Sequence, residues 1–149
     1  MPERLDAVGS CVPASKSDNI HKHIDFYLRH ATKPRCCAVD VKGRKALERG
    51  GQLQHEFMLV ETKNVRGMPG WARGRAHIIA QRVGPSAFCL LDRARLEAYM
   101  DRAFKGCKPS TRRGVTDTLL SREGRLDEFA WVSMETLVIE AGIGVVFDD

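Results

Sequence analysis

No stretch of the 149-residue chain approaches the roughly 20 consecutive apolar residues that a membrane-spanning helix requires. Met1-Pro2-Glu3-Arg4-Leu5-Asp6 lacks the apolar core of a secretory signal, so the expectation is a cytoplasmic protein with no membrane partner. Cysteine occurs five times but never as C-x-x-C, and Cys36 and Cys37 are adjacent. That spacing argues against a disulfide framework and against a zinc site, leaving small buried thiols in a reducing compartment. The 13 glycines match neither a phosphate loop nor a dinucleotide fingerprint, and no local motif supports a Ser or Cys nucleophile. Internal repeats, low-complexity runs and domain linkers are also missing.

What is present is 43% hydrophobic and 29% charged, the composition of one globular domain with a real core. Residues 1–17, poor in aromatics, read as a flexible arm, and residues 18–149 as a single domain. Asp18-Asn19 is expected to cap a helix over 20–30, ended by Thr32-Lys33-Pro34. A hairpin is expected over 36–64, a structured Gly- and Arg-rich loop over 64–75, and strands near 76–81 and 87–91. A helix over 92–103, a strand over 129–132, a helix from Ser133 to Glu140 and a last strand near 142–147 complete the order. The fold class is α/β (α+β), a mixed central β-sheet flanked by helices.

Two strands carry the chemistry. Ala38-Val39-Asp40-Val41-Lys42 and Leu59-Val60-Glu61-Thr62-Lys63 both alternate apolar and charged residues with period two. If they pair symmetrically about Gly50-Gly51, Asp40 lies across from Glu61. Asp40, Lys42, Glu61 and Lys63 then share one face. Two carboxylates and a lysine on one patch suit a divalent-metal site, the chemistry of phosphodiester hydrolysis. The net charge of +5 is concentrated there too: residues 33–75 hold ten Lys/Arg against four Asp/Glu. Such a field draws a polyanion toward the carboxylates.

An acid on one strand followed by Glu-x-Lys on the next, after an upstream helix, resembles the PD-(D/E)XK nuclease superfamily. A strand reading Val-Asp-Val-Lys, then Glu-x-Lys-Asn, then Gly-Trp-x-x-Gly is similar to small phage and bacterial members. The resemblance implies a restriction-endonuclease-like core over residues 20–105 and a Mg²⁺- or Mn²⁺-dependent endonuclease or resolvase acting on DNA. Its likeness is incomplete, with Val39 where a proline often stands and His77 where the small members carry an acid. It implies Asp40 and Glu61 as metal ligands, a carbonyl after Glu61 beside them, and Lys63 orienting the attacking water or stabilising transition-state charge. A first-helix carboxylate adds a ligand in some members, which brings in Asp25. A second register, Asp25 with Asp40-x-Lys42, makes Lys42 the catalytic lysine instead.

Arg44, Lys45, Arg66, Arg73 and Arg75 are candidates for phosphate contacts, and Trp71 for stacking on a base, against the plainer reading of Trp71 as a core plug. Gln54, near the turn, is a weaker candidate to face the site. His21 and His23, two apart on a predicted helix, point in different directions and read as surface histidines. DNA, whether duplex, branched or single-stranded, is the expected partner, and a homodimer suits a small chain that must cut two strands. The other readings are a catalytically inactive nucleic-acid-binding module of the same fold, and a structural protein whose charges only form cross-strand ion pairs.

Overall fold

Alternating side chains in Cys36–Lys42 set the architecture, because both faces of this strand are used. The computed structural model describes residues 8–147. In chain order the elements are β1 (Val8–Pro13), α1 (Lys16–Lys22), β2 (Phe26–His30), β3 (Cys36–Lys42) and β4 (Phe57–Lys63). A single 3-10 turn (Trp71–Arg73) leads to β5 (Ile78–Gly84), β6 (Ala87–Asp92), α2 (Arg93–Ala103), β7 (Glu128–Ser133), α3 (Met134–Ala141) and β8 (Gly142–Phe147). Six strands form a mixed, mostly antiparallel sheet in the order β1-β2-β3-β5-β6-β8, with β3 and β5 the parallel pair. β4 and β7 make a separate antiparallel ribbon. The molecule is thus a mixed α/β fold with three α-helices among the described residues. None of them is long and apolar enough to cross a membrane.

The main core lies between one sheet face, the ribbon and the helices. Ala38, Ile79 and Leu91 from the sheet pack with Met58, Val60, Ala130 and Val132 from the ribbon, and with Leu96, Met100 and Leu137 from α2 and α3. The other sheet face carries a smaller cluster of Val39, Ala80 and Leu90. The far face of the ribbon has its own cluster of Leu120, Phe129 and Trp131, so the ribbon is buried on both sides.

Several sequence expectations change here. The flexible arm over 1–17 does not hold from residue 8 onward: Val8–Pro13 pairs with β2 and α1 begins at Lys16, while residues 1–7 lie outside the described residues. The helix over 20–30 is shorter and earlier; His23 adopts a left-handed backbone (φ 53°), the chain turns, and Phe26–His30 becomes a strand. The β3–β4 hairpin does not form. Both edges of β3 are already taken, by β2 and by β5, so β4 has no ladder to join and pairs with β7 instead. Asp40 sits beside Ile79 and Glu61 beside Phe129, not opposite each other. The turn at Gly50 is real (φ 80°), but it closes only a Lys45–Gln54 bridge within the loop. The thiols are free, and Cys11, Cys36 and Cys107 are exposed rather than buried. The later elements, from β5 to β8, follow the predicted order closely.

Candidate active site

Because Ala38 faces the main core, the alternation of β3 sends Asp40 and Lys42 to the same side. Asp40 is only 2% exposed. Its Oδ1 lies 2.8 Å from Lys42 Nζ, while its Oδ2 is buried with no hydrogen-bond partner. Asp25 closes the other side from the link between α1 and β2. Its backbone N–H donates to the Val39 carbonyl (2.9 Å), and its Oδ2 accepts from the Val41 N–H (2.7 Å). Asn19 Nδ2 holds its Oδ1 at 2.6 Å. The Asp25 carboxyl is thereby fixed beside that of Asp40, near enough to act on its titration. Burial pushes the Asp40 carboxyl up to about 6; Lys42 pulls it down, and Asp25 pushes it up further.

Lys42 ties this carboxyl pair to its surroundings. Its ammonium sits 5.1 Å from the centroid of the Trp71 ring, a cation held over an aromatic face. Trp71 belongs to the main core and Lys42 lies over its ring, so it serves as a core plug and is not presented to a base. His23 is half-buried, and burial followed by the Lys42 charge holds its imidazole below the usual range, so it is neutral at pH 7. This corrects its reading as a surface histidine. The only signal in the sequence was its place two residues before Asp25.

Gly70 and Gly74 explain why this loop is Gly-Trp-x-x-Gly. A Cβ on Gly70 would meet the Glu61 carbonyl oxygen at 2.5 Å, and one on Gly74 would meet the Lys22 carbonyl oxygen at 2.9 Å and the His23 Cβ at 3.0 Å. Each glycine therefore lets the loop close on one part of the site. The loop is anchored further by Arg93, whose Nε donates to the Ala76 carbonyl (2.7 Å) and Nη1 to the Ala72 carbonyl (3.0 Å).

Glu61 is half-buried, and its side chain has no hydrogen bond or ion pair among the described residues. Burial raises its carboxyl; Arg122, Lys45 and Lys42 draw it back down, and Asp127 opposes them. Lys42 is thus the cation common to Asp40 and Glu61. Lys63 is not placed the same way. A bulge between Glu61 and Lys63 shifts the ladder, and the Lys63 ammonium pairs with Glu128 at 2.9 Å.

The other candidates divide. Arg73 is spent on α2, paired with Asp101 (2.6 Å) and Glu97 (3.1 Å), and so is not available to phosphate. Lys45, Arg66 and Arg75 are exposed and Arg44 is half-buried, none with a side-chain partner among the described residues. Gln54 does not face the site; it staples its own loop, accepting from the Phe57 N–H and donating to the Lys45 and Phe57 carbonyls. His77 stands outside the carboxyl pair, its Nδ1 accepting from the Ala38 N–H at 2.9 Å. Gln81, buried beside Lys42 in the β3–β5 ladder, was not anticipated from the sequence.

Among the described residues no three His, Cys, Asp or Glu side chains converge as a ready-made metal cluster. The donors that do come together are two carboxylates, hard oxygen ligands of the kind Mg²⁺ and Mn²⁺ prefer. Mg²⁺ sites commonly use one or two carboxylates and leave the rest to water and substrate phosphate. Comparison with family models, curated protein sequences and solved structures finds no match for the chain.

Proposed function

We propose that the protein is a metal-dependent phosphodiester hydrolase, a nuclease acting on DNA with a restriction-endonuclease-like arrangement of acids and lysine. The observation that carries the reading is the unpartnered, buried Oδ2 of Asp40, set against the Asp25 carboxyl with Lys42 2.8 Å from the other oxygen. An unsatisfied buried carboxylate oxygen costs about 1–3 kcal/mol or more, and a bound cation removes that cost. Asp25 and Asp40 would hold a divalent ion, which would polarise the phosphoryl oxygen and lower the pKa of bound water.

The chain supplies the rest. Lys42 donates to Asp40 and presents a positive charge where negative charge develops on the phosphate. The core position of Trp71 and the closure of Gly70 on Glu61 hold Lys42 and Glu61 in fixed relation. Glu61 acts from the ribbon side of Lys42, as a further carboxylate for the ion or the attacking water. His23, a neutral imidazole, offers a proton acceptor beside Asp25. This is the register of Asp25 with Asp40-x-Lys42, in which Lys42 takes the role that the Glu-x-Lys pattern assigns to Lys63.

The test is cleavage of single-stranded, duplex and branched DNA with Mg²⁺ or Mn²⁺, wild type beside Asp40→Asn. Turnover that requires the ion and falls by roughly a hundredfold or more in Asp40→Asn supports the reading. Folded wild type that binds these DNAs and cleaves none in either ion would replace it with an inactive nucleic-acid-binding module.

A further inference from the structure

A groove of about 840 Å³ opens on the outer side of the ribbon, away from the main core. Its floor is apolar, made by Leu59 with Leu120, Phe129 and Trp131, the last three showing only a narrow strip of surface to the groove. Its walls come from segments that are distant in sequence, 45–49 after β3, 111–114 after α2, and 120–123 before β7. Five basic side chains line it, Lys45, Arg49, Arg112, Arg113 and Arg122, against the acids Glu48 and Glu123. Three of the five lie outside the basic stretch visible in the sequence; folding brings them to it. Lys45, Arg49, Arg112 and Arg113 have no side-chain partner among the described residues, which leaves their charges free for a ligand. Arg122 is held differently, by Asp127 at 2.8 Å and with its guanidinium 5.1 Å from the Phe129 ring centroid.

The groove and the carboxyl centre are neighbours. Lys45 and Arg122, which line the groove, are also the two cations beside Lys42 that act on Glu61. Lys45 and Leu59 further line the small cavity that contains Lys42 and Trp71. A ligand in the groove therefore touches Lys45 and Leu59, which also border the cavity of Lys42 and Trp71.

We infer that this groove receives an unpaired nucleotide, so that the DNA strand passing the Asp40–Lys42 centre is single-stranded there. The inference rests on the hydrolase reading above and names its substrate class. A duplex is a convex cylinder with phosphates outside and bases stacked within, and it cannot place a base on a concave apolar floor. An unpaired nucleotide is flat and apolar on its base face and anionic at its phosphate, which matches floor and rim respectively. The volume falls within the roughly 300–1,000 Å³ typical of sites for ligands of that size. Guanidinium forks on the rim, from Arg112 and Arg113, match phosphate oxygens in pairs. The same chemistry would suit a free nucleotide, which the experiment separates.

The experiment is fluorescence anisotropy of a labelled mixed-sequence oligodeoxynucleotide in chelator, so that binding is read without hydrolysis. The single strand is expected to bind about tenfold or more tightly than the same sequence as a duplex. Arg112→Glu with Arg113→Glu is expected to weaken single-strand binding by roughly tenfold or more and to lower its salt slope by about 1–2, with thermal unfolding unchanged. The chain has two tryptophans, and only Trp131 lines the groove. Quenching of tryptophan emission by the single strand should persist in wild type and disappear in Trp131→Phe. Equal binding of duplex and single strand, or single-strand binding indifferent to the double substitution, overturns the inference. Thymidine monophosphate competing as well as the oligonucleotide, mole for mole, overturns it in favour of a free-nucleotide site. Loss of cleavage activity in the ion-dependent assay with this binding intact would sink the hydrolase reading alone.

Discussion

Asp40 is the residue on which stability and the proposed chemistry pull in opposite directions. Unfolded, its carboxyl titrates in the ordinary range; folded, burial pushes it to about 6. The folded state therefore holds the proton more tightly, and the stability this confers is full below the unfolded value and lost as pH rises through about 6. Two units correspond to about 3 kcal/mol at most. In chelator, Asp40→Asn should accordingly raise the melting temperature by a few degrees at about pH 8 and leave it nearly unchanged at about pH 4. Differential scanning calorimetry at the two pH values reads this, and an Asn variant less stable than wild type at the higher pH would contradict it. Divalent ions should reverse the penalty, because they bind the deprotonated carboxylate, so stabilisation by Mn²⁺ should grow with pH across the same window. The sequence marked Asp40 as a candidate ligand, the one acid on its alternating strand, but not its burial. Its burial follows from which face of β3 meets the core, and that depends on strands far away in the chain.

At the scale of elements, the alternating strands, the cap of α2 at Asp92 and the cap of α3 at Ser133 were legible because they are local: each rests on residues within a few positions of one another. The pairing of β3 was not, since a period-two pattern states that a strand has faces but not which edges it shares. A symmetric turn at Gly50-Gly51 made a β3–β4 hairpin the simplest reading, and β5 displaced it by pairing in parallel after a long connection. The Gly-Trp-x-x-Gly segment is the element on which the site depends most. Gly70→Ala should cost about 2–4 kcal/mol, because its Cβ would lie 2.5 Å from the Glu61 carbonyl oxygen and backbone has to move. Trp71→Ala should cost about 3–5 kcal/mol through the cavity it leaves under Lys42. Urea unfolding measures both, and a Gly70→Ala variant as stable as wild type would mean the loop does not hold Glu61 as described.

For the whole molecule, charge and topology act together. The sequence located most of the excess positive charge in residues 33–75, yet Arg73 from that stretch is neutralised by α2 while Arg112, Arg113 and Arg122 from elsewhere join Lys45 and Arg49 along one groove. Which basic residues share a surface is a property of the fold, and only their average was readable beforehand. The α1–β2 link, β3 and the ribbon contribute to the centre from three separate places; Lys42 pairs with Asp40 and its charge reaches Glu61, while Lys63 pairs with Glu128. The central claim is therefore that Lys42, and not Lys63, is the lysine of the reaction. The measurement that tests it is the single-turnover cleavage rate of DNA in Mn²⁺ for Lys42→Ala and Lys63→Ala beside wild type, with folding checked by thermal unfolding. The account predicts a loss of about a hundredfold or more for Lys42→Ala and less than about tenfold for Lys63→Ala. The reverse order, with Lys63→Ala inactive and Lys42→Ala close to wild type, would contradict it.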